Sequence, residues 1–181
     1  MDLTNKIIDL HHALRDAELP HAFGGALALA WCTGRARGTI DIDINVFVEP
    51  EHTANVINAL PDEMEITAKL QKELRRDGQV RLLWDKTPVD IFLNTVRLHQ
   101  KASQRVFWET FADEPIPFLS CADIAVFKIF FNRTKDWADL EEMAVAGTID
   151  LDELSSVVTQ ALGGDDERIH RLNALPQSNE D

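Results

Sequence analysis

The sequence predicts an α+β fold: a mixed sheet with helices packed on it, followed by a C-terminal helical segment. Three observations predict it. Strand-like runs rich in Ile, Val and aromatic residues alternate with helical patterns through the first 117 residues. From residue 118 onward the apolar residues recur only at helical spacing. Glycine and proline punctuate the joins, at Pro20, Gly24, Gly25, Gly34, Pro50 and Gly147.

Residues 3–18 form an amphipathic helix, with Leu3, Ile7, Leu10, His11 and Leu14 on one face and Pro20 as its stop. A short apolar entry at Ala22 and Phe23 then meets Gly24 and Gly25, a helix over about 26–31 and a stop at Gly34. The run GTIDIDINVFVE is a strand in which Ile40, Ile42 and Ile44 alternate with Thr39, Asp41, Asp43 and Asn45. A helix follows over about 51–60, and the stretch 64–70 is strand-like but ambiguous. Residues 79–84 and 89–93 make a hairpin around a turn containing Pro88. Ser120 caps one long helix over about 121–145, with Asp123 as its capping-box acid and Gly147 as its end. A second helix starts at Asp150 or Asp152 and runs to about Leu162, and a short third follows Asp165. The expected organisation is a core over 1–117, a helical part over 118–173 and a disordered tail over 174–181.

Composition bounds the function. Asp and Glu total 31 against 18 Lys and Arg, for a net charge of -13. Nonspecific nucleic-acid binding rests on neutralising phosphates with cations, so no general basic groove is available. A local patch from Arg75, Arg76 and Arg81 is small. No apolar run approaches the roughly 20 residues that cross a bilayer, and the N-terminus lacks a signal-peptide pattern. Cys32 and Cys121 sit in apolar segments without metal-site spacing, and the expectation is reduced core thiols and a cytoplasmic location. His11, His12 and His21 have no metal spacing and are assigned no role.

The chemistry concentrates at Asp41 and Asp43. Two carboxylates two residues apart on a strand share a face and repel each other unless a cation neutralises them. Oxygen donors without His or Cys select Mg²⁺ or Mn²⁺. Asp is depleted in strands, so placing two in an isoleucine run weakens the strand with no packing return. Asp90, between Val89 and Ile91, repeats the anomaly. Three such acids suit a two-metal phosphoryl-transfer centre, Asp41 and Asp43 chelating and Asp90 accepting the proton of an attacking hydroxyl. Gly24 and Gly25 at a helix entrance let backbone N–H groups approach a triphosphate. Arg35 and Arg37 are placed to neutralise phosphate, and Thr39 adds a hydroxyl at the strand start.

FGGALALAWCTGRARGTIDIDINVFV followed by PVDIFL resembles the nucleotidyltransferase superfamily, whose fold is polymerase-beta-like: Gly-Gly, a helix, Asp-apolar-Asp, and a third acid on a later strand. A second segment, KIFFNRTKDWADLEEM, is similar to the helical motif of the AbiEii/MenT group of bacterial nucleotidyltransferase toxins. The resemblance implies that Gly24 and Gly25 cradle phosphates, that Asp41, Asp43 and Asp90 bind metal or act as base, and that Lys128 contacts the triphosphate of an NTP substrate. On a continuous helix of about 100° per residue, Asn132, Lys135, Asp136 and Asp139 share the face of Lys128. Asn132, Lys135 and Asp136 therefore join Lys128 as candidate nucleotide-binding residues.

The expected activity is metal-dependent transfer of NMP from an NTP to a hydroxyl. The toxin resemblance implies a tRNA acceptor and a cognate antitoxin. The alternatives are a small cationic acceptor such as an aminoglycoside, or a noncatalytic nucleotide-binding member of a toxin–antitoxin pair.

Overall fold

Helix α1 (Leu3–Asp16) begins where Asp2 caps it, the carboxylate accepting from the Asn5 amide at 2.9 Å. It buries Ile7, Leu10 and Leu14, the predicted face, and ends at Ala17, ahead of Glu18 in the left-handed region and Pro20. The computed structural model describes residues 1–176, so the expected tail lies outside the described residues from 177 onward. The chain divides into two compact units, one of Met1–Leu27 with Arg37–Leu119, the other of Ala28–Ala36 with the residues from Ser120 on.

In the first unit, seven strands form one mixed sheet. They are β1 (His21–Phe23), β2 (Ile42–Val46), β3 (Met64–Glu65), β4 (Gln79–Trp84), β5 (Thr87–Leu93), β6 (Phe107–Phe111) and β7 (Glu114–Phe118). Their order is β3-β4-β5-β2-β1-β7-β6. The β2–β5 and β1–β7 pairs are parallel and the rest antiparallel. The central strands bury one face, on which Ile42, Ile44, Val89 and Ile91 are fully buried, as are Phe23 and Phe118 in β1 and β7. Helix α1 packs on β7 and on α3 (Thr53–Ala59), which follows a 3₁₀ turn at Pro50–His52.

Several expectations change here. The strand holding the aspartates starts only at Ile42, where pairing with Val89 begins, so Ile40 is exposed instead of sharing the buried face. Residues 64–70 are strand only at Met64 and Glu65. Thr67 then caps α4 (Ala68–Asp77), which ends on Gly78 in a left-handed cap. Strongly polar apart from Leu70 and Leu74, α4 offers little periodicity to read. The hairpin turn is Asp85-Lys86, not Pro88, which pairs with Leu83 inside β5. Helix α5 (Arg97–Ala102) and the β6–β7 hairpin were not anticipated.

Two buried polar clusters brace this unit. Lys6 Nζ donates to the Trp84 carbonyl at 2.6 Å and to Thr87 Oγ1 at 3.1 Å, and pairs with Asp85 at 3.0 Å, tying α1 to the β4–β5 turn. His21 Nδ1 lies 2.8 Å from the Leu19 carbonyl, and its Nε2 lies 2.9 Å from His11 Nδ1. A carbonyl only accepts, so His21 carries its proton on Nδ1 and its Nε2 accepts from His11. Burial first, then the nearby charges of His21 and His12, push His11 down to about 4.

In the second unit, the single helix expected over 121–145 is two, α6 (Cys121–Phe131) and α7 (Thr134–Val145), separated at Asn132 with φ 53°. Ser120 caps α6 as expected, accepting from the Asp123 amide at 3.1 Å. Helix α8 (Leu151–Leu162) starts from Asp150 and α9 (Glu167–Asn173) from Asp166. Helix α6 packs on α7 and α8, and α8 on α9. Cys32 and Cys121 form a disulfide, their Cα atoms 5.6 Å apart across 89 residues. The expected reduced thiols are thereby corrected, and with them the argument from cysteine to compartment. Spacing could not reveal the pair, because only tertiary packing brings two positions so distant in sequence together. Among the described residues no helix is long and apolar enough to cross a membrane.

Candidate active site

Register aligns three charged residues across the sheet. In the parallel β2–β5 pair Asp43 lies opposite Asp90, and in the antiparallel β4–β5 pair Arg81 lies opposite Asp90. Directly opposed residues project from the same face, so Asp43, Asp90 and Arg81 form a row. Asp41 stands one residue ahead of β2, and the Thr39 hydroxyl donates to its Oδ1 at 2.6 Å. Arg81 grips Asp90 with two bonds, Nε to Oδ1 at 2.7 Å and Nη2 to Oδ2 at 2.5 Å, and the same Nη2 is 3.6 Å from Asp41 Oδ2. Hydrogen bonds to Asp90 raise the Arg81 pKa further above its ordinary value, helped by the charges of Asp90, Asp41 and Asp43.

Gly25 is required where it stands. Its φ is +54°, and a Cβ there would lie 1.8 Å from Asp43 Oδ2. Helix α2 (Gly25–Thr33) begins on this residue, so the Asp43 carboxylate rests against the helix start, where unpaired N–H groups favour negative charge. The Gly24 amide donates to the Asp43 carbonyl at 2.9 Å, fixing the loop to the strand.

Hard carboxylate oxygens suit Mg²⁺ or Mn²⁺, and Asp41 and Asp43, both of which add to the charge felt by Arg81, are donors of that kind. Among the described residues no three acidic, His or Cys side chains gather as a cage. Asp90, expected as a third ligand, is engaged by Arg81. Sequence reasoning placed Arg81 in a minor basic patch and missed this role. The missing signal was the turn: a two-residue turn at 85–86 pairs Trp84 with Thr87 and hence Arg81 with Asp90.

The other candidates are dispersed. Arg37 is exposed in the first unit. Arg35 belongs to the second, lining a hollow of about 490 Å³ with Thr33, Glu141 and Glu142. Lys128 is held inside the second unit, bonded to Asp139 Oδ2 at 2.5 Å and 3.8 Å from Asp136 Oδ1. Asp136 also accepts from the Arg133 amide and guanidinium. Burial pushes its carboxyl up, but the bonds from Arg133 and the charges of Arg133 and Lys128 outweigh this and leave it below the usual range. The helix break cancels the continuous polar stripe. Lys135 and Asn132 are exposed, and Asn132 accepts from Trp137 Nε1 at 2.7 Å.

No known family pattern matches the chain, and no curated protein sequence does. Solved structures do. An antigenic nucleotidyltransferase-like protein from Paracoccidioides brasiliensis aligns over 97% of this chain and 94% of its own, with 16% identity and a TM-score of 0.54. ANT(2")-Ia in complex with adenylyl-2"-tobramycin covers 87% of this chain and 95% of its own, at 14% identity and a TM-score of 0.61. The lincosamide antibiotic adenylyltransferase LnuA, bound to lincomycin, covers 77% and 94%, at 15% identity and a TM-score of 0.52. At these identities the likeness concerns architecture, and it agrees with the mixed sheet and the glycine-to-acid order: the chain has a nucleotidyltransferase fold.

Proposed function

We propose that this protein is a divalent-cation-dependent nucleotidyltransferase that moves a nucleoside monophosphate from an NTP to a hydroxyl of a small, cationic acceptor. The observation that carries the reading is Asp43 seated on Gly25 at the start of α2, with Asp90 opposite it in register. The Gly24 amide is taken by the Asp43 carbonyl, so the N–H groups from Gly25 into the first turn of α2 are the ones that favour phosphate. Asp41 and Asp43 would hold Mg²⁺ or Mn²⁺, which supplies charge neutralisation at the phosphates when bound. Asp90 takes the proton of the acceptor hydroxyl as its oxygen bonds the α-phosphorus. The bond from that phosphorus to the bridging oxygen breaks, and pyrophosphate leaves with the electron pair.

The net charge of -13 favours a cationic small molecule over a polyanion. Two neighbours of the same fold are described with small-molecule antibiotics or their adenylyl products. The AbiEii/MenT-like reading, with a tRNA acceptor and an antitoxin partner, rests on the likeness of residues 128–143 alone. In this chain Lys128 of that segment bonds Asp139 and forms an ion pair with Asp136. The resemblance still assigns Lys128 to the triphosphate, and Lys128→Met tests that assignment separately.

Incubation with each α-labelled NTP, Mg²⁺, pooled aminoglycosides and lincosamides, and bulk tRNA decides the reading. Label transferred to a small molecule, and lost by about 100-fold or more in Asp43→Asn, is the expected result. Label on tRNA would favour the toxin-like reading. Absence of any transfer, together with no Mg-NTP binding at millimolar concentration, would overturn the enzyme reading and leave a noncatalytic role.

A further inference from the structure

Three carboxylates converge on this face of the sheet, and one guanidinium stands among them. Arg81 makes two bonds to Asp90, approaches Asp41 at 3.6 Å and adds to its charge interactions that of Asp43. Its own place is set by the backbone, because the Asp85-Lys86 turn puts residue 81 opposite residue 90. Asp90 is largely buried, its side chain 16% exposed, whereas that of Arg81 is 58% exposed. The buried partner is therefore fixed and the cation is the movable one. A guanidinium gripping a carboxylate with two parallel bonds engages both oxygens and sets a positive charge where a second cation would have to approach.

Resting on the reading above, we infer that Arg81 is a positioning residue that withholds Asp90 from divalent cations and serves as the resting counter-charge of Asp41, Asp43 and Asp90. The acidic site then binds a divalent cation weakly while Arg81 is in place, and only through Asp41 and Asp43. An arriving triphosphate offers Arg81 a competing anion, and drawing the guanidinium toward phosphate frees Asp90 to accept a proton. Cation and nucleotide thus enter the site together, with Arg81 passing between carboxylate and phosphate.

The test uses Mn²⁺ as the probe, with bound ion read by electron paramagnetic resonance in the absence of nucleotide. Wild type, Arg81→Gln, Arg81→Lys and Asp43→Asn are compared, with thermal melting to establish that each is folded. Removing one positive charge within about 4 Å of a carboxylate near the surface is expected to tighten Mn²⁺ binding about tenfold in Arg81→Gln. A second bound ion at Asp90 is expected in the same variant. Arg81→Lys keeps the charge and should stay within about threefold of wild type, a rescue that a purely structural role for the side chain would not produce. Equal Mn²⁺ affinity and stoichiometry in wild type and Arg81→Gln, with Asp43→Asn abolishing binding, would overturn the inference and leave the proposed function standing. Mn²⁺ binding that is insensitive to Asp43→Asn, or absent from every variant, would overturn both.

Discussion

The row on β2, β5 and β4 and the knot on α6 and α7 use the same ingredients, aspartates around one basic side chain, and put them to opposite ends. On the sheet, Arg81 and Asp41 are 58% and 36% exposed at the side chain, above an Asp90 that is largely buried. In the helical unit, Lys128, Asp136 and Asp139 are between 0% and 13% exposed. A half-exposed group keeps water within reach and can exchange partners at low cost. A buried ion is committed, because losing its partner leaves an uncompensated charge in low dielectric. Burial, more than residue type, separates a site that can act from a pair that holds the fold.

The sharpest way to break this contrast is Lys128→Met. It removes the buried cation that Asp136 and Asp139 share, although Asp136 keeps its bonds from Arg133, and should cost about 3 kcal/mol of stability, measured by urea unfolding. A change under about 1 kcal/mol would mean the knot is as replaceable as a surface pair.

The His11–His21 contact extends the comparison to a buried pair without charge. The folded value near 4 lies below the ordinary 6.5. Between those limits the unfolded chain takes up a proton that the folded chain refuses. Its contribution to stability is therefore full above about pH 6.5 and lost as pH falls toward 4, a total of about 3 kcal/mol. Unfolding midpoints of wild type and His11→Gln across this range check it: the wild type should fall more steeply.

Gly25→Ala probes the sheet site through its backbone. The left-handed φ and the missing room beside Asp43 predict a cost of about 1–3 kcal/mol, with Mg-NTP binding weakened further than the stability loss explains. Calorimetric titration against the melting shift separates the two. The smallest effect belongs to Arg81→Gln, whose exposed pair should change stability by about 1 kcal/mol or less while altering Mn²⁺ binding. A large destabilisation would place Arg81 with Lys128 and dissolve the distinction.

The two regions also differ in how far they could be read from sequence. Asp41, Asp43 and Asp90 stood out because acids interrupt isoleucine and valine runs, a local contradiction visible without coordinates. Gly24 and Gly25 stood out by position ahead of the strand. Arg81 did not, because its role depends on a register that a turn extended to Pro88 would miss. The stripe through Lys128 misled in its geometry, since Asn132 adopts a left-handed conformation and ends the helix where periodicity alone suggests continuation. Helix α4 escaped notice because its sequence is almost wholly polar, although Leu74 is fully buried and the helix packs on β4 and α3.

By itself the sequence determined the fold class, the order of glycines and acids along the chain, and the acidic balance that disfavours a polyanionic partner, since these follow from local pattern and composition. Tertiary structure alone decided which charges meet: Arg81 with Asp90, Lys128 with Asp139, His11 with His21, Cys32 with Cys121. Such pairings depend on register and packing between segments distant in the chain, and those are properties of the assembled sheet and helices that no local preference encodes.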